Sequence, residues 1–278
     1  MMKPTKKPAI RMIAIDLDGT LLQDDLNISP RDMRAIQEAI WRGVKVVICT
    51  GRMYSTASPH VSKLGLDTPI ICFNGAYIAT SDKSRVLDHY AFSTSYARPI
   101  YEEARKRGLH TNYYVEDDIN VPEINDIVKH YLQRIEVDVQ VVEDMDAFFD
   151  MHDKLTKITV QSSDHVALDD FGRWIEETFP SELYVVKSGK FFLEVSHPYA
   201  NKGTGVDKIA EHFGIPSEQV MAIGDNFNDI SMFHYAGLSV AMGNAEEAVR
   251  READVVTDTY QEDGVGKAIE TYVLGGTP

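Results

Sequence analysis

Asp16 and Asp18 stand one residue apart at the end of a short apolar run, Ile13-Ala14-Ile15, and Gly19-Thr20 follows at once. A run of this kind reads as a buried strand, where unpaired carboxylates are strongly disfavoured. Both side chains must therefore emerge where the strand stops. Carboxylates so placed suit a magnesium ion and a phosphoryl group. A phosphate monoester is a dianion, so a carboxylate approaching it meets repulsion. Two unit charges about 4 Å apart cost about 4 kcal/mol at an effective dielectric of roughly 20. A cation has to sit between them. Hard oxygen ligands favour Mg²⁺ over zinc, and no His/Cys cluster offers zinc an alternative.

Other segments end in groups that would complete such a site. Val44 to Cys49 reads as a second strand ending in Thr50-Gly51-Arg52, and Ile70 to Phe73 as a third ending in Asn74-Gly75-Ala76. Gln219 to Ile223 reads as a fourth, leading into Gly224-Asp225-Asn226-Phe227-Asn228-Asp229, and Lys202 opens the helix before it. Open parallel sheets bind ligands beyond the carboxyl ends of their strands, so one edge would gather all of these groups. Asp16 can touch the metal and attack phosphorus, and Asp225 supplies a second carboxylate. Lys202 neutralises phosphoryl oxygens, to which Thr50 and the Gly51 amide donate hydrogen bonds. Asp18 can protonate the departing alkoxide and later deprotonate the incoming water, which favours hydrolysis over a lasting phosphoaspartate. Asp229 reads as orienting Lys202 or its own loop, and Thr20 as tying down the turn. Arg52 either reaches substrate or pairs with an acid.

The elements that position these groups alternate strand and helix up to about residue 82. Ser29-Pro30-Arg31-Asp32 predicts a helix start, with Ser29 as N-cap and Asp32 closing a capping box; Gly43 ends that helix. From there the pattern changes to helices at 93–107, 123–134 and 164–178 and a half-exposed strand over 155–161. A hairpin follows, its turn at Ser188-Gly189. The acidic pairs Asp117-Asp118 and Asp169-Asp170 read as solvated. The strand and helix alternation resumes near His197. The expected organisation is a core of residues 1–82 and 197–278 with an α+β domain, 83–196, inserted into it.

The 278 residues are 44% hydrophobic and 26% charged, as in a globular protein with a full core. A formal net charge of −15 argues against nucleic-acid or anionic-membrane partners. The basic N-terminal stretch lacks the apolar segment of a secretory signal, and no segment has the length of a membrane span. Cys49 and Cys72 read as reduced core thiols. The expectation is a cytoplasmic protein, monomer or homodimer, whose partner is a small phosphorylated metabolite.

Asp16-x-Asp18-Gly19-Thr20, Thr50-Gly51-Arg52, Lys202-Gly203 and Gly224-Asp225-x-x-Asn228-Asp229 resemble, in order, the four motifs of haloacid dehalogenase-like (HAD) phosphatases. The insert resembles the large α/β cap of the Cof-type sugar-phosphatase subfamily, and Asn74-Gly75-Ala76 looks like that subfamily's loop. The resemblance implies an α/β fold, a Rossmann-like parallel-sheet core with an inserted α+β cap. It implies Asp16 as nucleophile, Asp18 as general acid/base, and Mg²⁺ held by the Asp16 side chain, the Asp18 backbone carbonyl and Asp225. It also implies phosphate contacts from the Leu17 amide, Thr50, Gly51, Lys202 and Asn228, with Asn74 among the substrate-binding groups. One departure is His197-Pro198-Tyr199-Ala200-Asn201-Lys202-Gly203, where the subfamily usually has a Pro-x-Gly-Val-x-Lys-Gly approach. The function expected is Mg²⁺-dependent hydrolysis of small phosphate monoesters, sugar phosphates foremost, through an aspartyl-phosphate. A sugar-phosphate mutase and a non-catalytic phosphometabolite sensor are the alternatives.

Overall fold

The computed structural model describes residues 9–125, 129, 137–189 and 191–275. Its central sheet has five parallel strands in the order Val255–Val256, Leu238–Ala241, Val220–Gly224, Met12–Ile15, Lys45–Ile48. Every residue of Met12–Ile15, Val220–Gly224 and Leu238–Ala241 is buried, as expected of strands covered on both faces. Ile15 pairs with both Ile223 and Ile48, so the three neighbouring strands reach their carboxyl ends at one level.

The chain forms two compact units, the second made of Asp88–Ala200 with Arg52–Thr56. The expected breaks at 82/83 and 196/197 lie close to the observed ones at 87/88 and 200/201, and Arg52–Thr56 falls outside the first unit. The second unit is built on a six-stranded sheet ordered Tyr184–Gly189, Phe192–Ser196, Lys157–Gln161, His110–Val115, Asp118–Val121, Val139–Val141. Its pairs are antiparallel except the last. One face carries Tyr113, Ile158, Val160, Leu193 and Val195, packed with buried residues of the helices Thr94–Lys106, Met145–Met151 and His165–Thr178. By strand alternation the opposite face carries Asn112, Tyr114, Lys157, Thr159, Gln161 and Glu194.

Several expectations need correction. The third strand, Ile70–Cys72, meets the central sheet through a parallel bridge from Ile71 to Cys49; it pairs antiparallel with Tyr77–Ala79 in a separate sheet. The turn at 73–75 sends the chain straight back, which a parallel neighbour does not do. Lys157–Gln161 is buried at all five positions rather than half-exposed. The strand Tyr184–Gly189 runs through Ser188-Gly189, where the turn was expected. Asp117 is buried rather than solvated, its carboxylate accepting from the Ser55 amide at 3.0 Å. Ser29 does cap its helix, accepting from the Asp32 amide at 3.1 Å, but the Asp32 carboxylate does not close a box. It accepts from the Gly266 amide at 2.6 Å, where the helix Gly264–Tyr272 packs. The helix expected over 123–134 lies largely outside the described residues.

Candidate active site

The carboxyl edge of the central sheet brings together residues far apart in the chain: Asp16 and Lys202 are separated by 186 positions, Thr20 and Asp225 by 205. Asp16 follows Met12–Ile15 directly, and its amide donates to the Ile223 carbonyl at 3.0 Å, which continues the ladder one residue past the strand. Its side chain is 7% exposed, and the carboxylate lies 2.6 Å from Lys202 Nζ. Lys202 is the first residue of the helix Lys202–Phe213, fixed there by Asn201, whose side chain accepts from the Thr204 amide in a capping box. The same ammonium donates to Asp229 Oδ1 at 2.5 Å, so one fully buried cation bridges two carboxylates. The other Asp229 oxygen accepts from the Asp225 and Asn226 amides, both at 2.9 Å. Asp229 thereby bonds both Lys202 and its own loop. Gly224 has to be glycine here, because a Cβ would stand 2.4 Å from the Asp229 carboxyl carbon.

Asp225 is half-buried, and Oδ1 accepts from the Thr20 hydroxyl at 2.9 Å, so Thr20 joins the first loop to the fourth. Asp18 is exposed on that first loop, two residues from buried Asp16. Between them Leu17 is fully buried, and its carbonyl accepts from the amides of Thr20, Leu21 and Leu22, folding the chain into a tight turn. Thr50 is fully buried at the end of Lys45–Ile48, with Gly51 after it. Asn74 is tied to this edge twice: its amide nitrogen donates to the Thr50 carbonyl at 3.0 Å, and its Oδ1 accepts from Asn228 Nδ2 at 2.9 Å. Of the residues expected in the site, Arg52 alone groups with the second unit.

The electrostatics follow from three acids around one base. Burial pushes the Asp16 carboxyl well above the ordinary carboxylate value, with Asp229 and Asp225 adding to the effect against the pull of Lys202. Asp225 is raised to about 6, by burial first and by Asp229 second. For Lys202 burial works the other way, yet Asp16 and Asp229 outweigh it and keep the ammonium charged. Oxygens of Asp16, Asp225 and Asp229 lie within 4.8 Å of one another. A site with this surplus of negative charge and a hard oxygen donor set suits a divalent cation.

One contributor escaped the sequence reading. Asn244 Nδ2 donates to the Gly19 carbonyl at 2.9 Å, and its Oδ1 accepts from the Tyr260 amide at 3.2 Å. Tyr260 in turn donates through its hydroxyl to Asp24 at 2.7 Å, so the loop behind Asp18 is braced from the C-terminal segment. The signal was available, since Asn244 stands just past the end of Leu238–Ala241 at the same edge.

Comparison with known proteins agrees with this geometry. The profile of the haloacid dehalogenase-like hydrolases matches residues 13–269. The chain is 34% identical over 270 residues to a 5-amino-6-(5-phospho-D-ribitylamino)uracil phosphatase of Bacillus subtilis, covering 95% of this chain and 96% of that one. It is 29% identical over 271 residues to a pyridoxal phosphate phosphatase of Escherichia coli, covering 95% and 99%. A solved sugar phosphatase of HAD subclass IIB superposes with a TM-score of 0.82 at 26% identity, over 94% of this chain and 98% of that one. The chain therefore belongs to the haloacid dehalogenase-like hydrolases, and within them to the Cof-type phosphatases.

Proposed function

We propose that the protein hydrolyses small phosphate monoesters, sugar phosphates foremost, with Mg²⁺ and through an aspartyl-phosphate on Asp16. The observation that carries this reading is the pairing of opposites on one short loop. Asp16 is buried against the Lys202 ammonium at 2.6 Å, whereas Asp18 is open to solvent. A nucleophile needs the first setting and a proton carrier the second.

Asp16 and Asp225, with the Asp18 carbonyl, are the groups we assign to Mg²⁺; Asp229 has both oxygens engaged by Lys202 and the loop amides. Bound there, Mg²⁺ would offset the charge that the carboxylates and the substrate dianion share. An Asp16 oxygen attacks phosphorus as the ester bond breaks, and the leaving oxygen takes a proton from Asp18. Water then gives a proton to Asp18 and attacks the aspartyl-phosphate, releasing inorganic phosphate and restoring the Asp16 carboxylate. Lys202, the Leu17 and Gly51 amides, Thr50 and Asn228 hold the phosphoryl oxygens in this reading. Relatives named for a phosphorylated ribitylaminouracil and for pyridoxal phosphate support a small phosphorylated metabolite as substrate. The net charge of −15 supports a partner list without nucleic acid or anionic membrane. Among the described residues no helix is long and apolar enough to cross a membrane, and we place the enzyme in the cytoplasm as a monomer or homodimer.

The test is turnover of a generic aryl phosphate by Asp16→Asn. Loss of about 10⁴-fold or more in kcat is expected for a covalent nucleophile. Hydrolysis at the wild-type rate would end the mechanism.

A further inference from the structure

The turn after Ile70–Cys72 holds three consecutive residues at positive φ: Phe73 at 50°, Asn74 at 54° and Gly75 at 95°. Left-handed backbone is unfavourable for residues bearing a Cβ, and a phenylalanine there is unusual. Such conformations persist where surrounding contacts overdetermine them, and they concentrate at functional sites. The contacts here are specific. The Thr50 amide donates to the Ile71 carbonyl at 2.8 Å and the Thr50 carbonyl accepts from the Asn74 amide at 3.0 Å, stitching the turn to the end of Lys45–Ile48. On its other side the turn presses on the backbone that leads into Lys202, since a Cβ on Gly75 would stand 2.2 Å from the Asn201 carbonyl oxygen.

What the turn delivers is the Asn74 amide. It lies flat over Gly51, where a Cβ would be 3.1 Å from Oδ1 and 3.4 Å from Nδ2. Its Oδ1 accepts from Asn228 Nδ2 at 2.9 Å. The carbonyl end of the Asn228 amide, Oδ1, is buried and among the described residues has no hydrogen-bond partner, so it awaits a donor and cannot face a phosphoryl oxygen. The Nδ2 end carries two hydrogens, of which Asn74 takes one. Anchored through that bond, the amide cannot rotate freely, and its second N–H is held in a fixed direction, available to a phosphoryl oxygen.

We infer that Asn74 is a positioning residue for phosphoryl transfer, held by the left-handed turn so that its side chain sets the orientation of the Asn228 amide toward the phosphoryl group. This rests on the phosphatase reading above. It differs from the expectation that Asn74 binds substrate itself. Asn74 acts through Asn228, and the strain at Phe73 and Asn74 serves to place one side chain between the ends of the second strand and the fourth.

The experiment is a double-mutant cycle on Asn74→Gly and Asn228→Ala, with kcat and KM for a generic aryl phosphate, inhibition by inorganic phosphate, and melting temperature for each variant. Glycine is the right replacement, because it keeps the positive φ and removes only the side chain. Asn74→Gly is expected to lower kcat/KM by roughly tenfold to a hundredfold, most of it in kcat, since the lost bond orients a group rather than adding binding. In the Asn228→Ala background the same change should cost less than about twofold, the sign of two residues acting as one unit. Inhibition by inorganic phosphate should change little in Asn74→Gly, weaken in Asn228→Ala, and weaken no further in the double. Losses that multiply in the double variant would show that Asn74 contacts the substrate independently and would overturn the inference. So would wild-type kcat/KM in Asn74→Gly. An equal fall in melting temperature and activity that persists in the Asn228→Ala background would assign Asn74 a purely structural role, again overturning it. Absence of turnover by the wild-type protein would instead fell the phosphatase reading, so the two failures are distinct.

Discussion

The two large sheets of this protein keep their polar groups in different places. In the parallel sheet the strands are apolar but for Lys45, first in its strand, and Ser239, and the carboxyl edge carries a closed set of charged bonds. Lys202 joins Asp16 and Asp229, Asp229 caps two loop amides, and Thr20 holds Asp225. In the antiparallel sheet polar residues lie within the strands along one face. There Lys157 meets Glu194 at 3.3 Å, while Thr159 Oγ1 and both amide atoms of Gln161 have no partner among the described residues. The difference follows from coverage. A sheet packed on both faces leaves its strand ends as the sites where a charge can be solvated or liganded, so polar groups there report chemistry. A sheet whose helices cover one face carries its polar residues along the other, and where these are buried, as here, each orphaned one costs about 1–3 kcal/mol.

The largest expected effect separates the two buried lysines. Lys202→Met leaves Asp16 and Asp229 facing each other without a cation, both nearly inaccessible to water. Removing one partner from a buried ionic set costs about 3–5 kcal/mol. Lys157→Met takes the ion-pair partner from Glu194, whose side chain is 14% exposed and can recruit water, and the loss should be about half as large. Denaturant unfolding of both variants measures this. Equal losses would mean that the closed set at the parallel edge is held no more tightly than the single pair.

Thr20→Val tests whether that closed set serves the cation. The hydroxyl bond to Asp225 Oδ1 fixes a carboxylate that we assign to Mg²⁺. Loss of such an orienting partner lowers metal affinity by about 10–100-fold. Titration calorimetry with Mg²⁺ alone reads it, and unchanged affinity would reduce Thr20 to a turn residue. The same measurement on Thr159→Val should show no change, because that hydroxyl belongs to the other sheet.

The contrast between the sheets also decides how much could be read from the chain. Asp16, Asp18, Thr50 and Asp225 are legible because each breaks or follows an apolar run, and parallel topology turns strand ends into neighbours; Lys202 is legible as the residue that opens the helix before the fourth strand. Asn244 is not legible from residue type, because an asparagine beside Gly243 looks like an ordinary turn residue. The pairing of Ile70–Cys72 was missed because an apolar strand of three residues carries no sign of its partner's direction. Alternation in Lys157–Gln161 was read as exposure, yet Thr159 and Gln161 are buried. A polar residue at every second position records which face lacks helices, and says nothing of what covers it. Asp32 was misread for a related reason. A Ser-x-x-Asp pattern is local, whereas the carboxylate's actual donor, Gly266, lies 234 residues away.

Asp32 supplies a smaller effect with a definite pH dependence. Burial raises its carboxyl to about 6, against the bonds from the Gly266 and Ser29 regions, and its Oδ2 has no partner. A folded-state value above the unfolded one, roughly 3.9, means the folded state holds the proton more tightly. The stabilisation is complete below about pH 4 and is lost as pH rises toward 6 and beyond. Asp32→Asn lacks this titration. Relative to that variant, the wild type should lose about 1.4 kcal/mol between pH 5 and pH 8. Melting curves of both proteins at the two pH values check the sign; a wild type that gains relative to the variant would contradict it.

The smallest effect concerns the orphaned face. Gln161→Leu removes both unpartnered amide atoms and keeps most of the volume, so the variant should gain about 1 kcal/mol in stability, the lower range of an unmade buried hydrogen bond. Lys202→Met, in the closed set, must go the other way. Opposite signs for two buried polar deletions would establish that burial alone does not determine what a polar group contributes. What determines it is whether its partners are present. Denaturation midpoints of Gln161→Leu at fixed slope measure the gain. A loss of more than about 1 kcal/mol would mean that the Gln161 amide is satisfied in solution, and the two sheets would then differ in position but not in completeness.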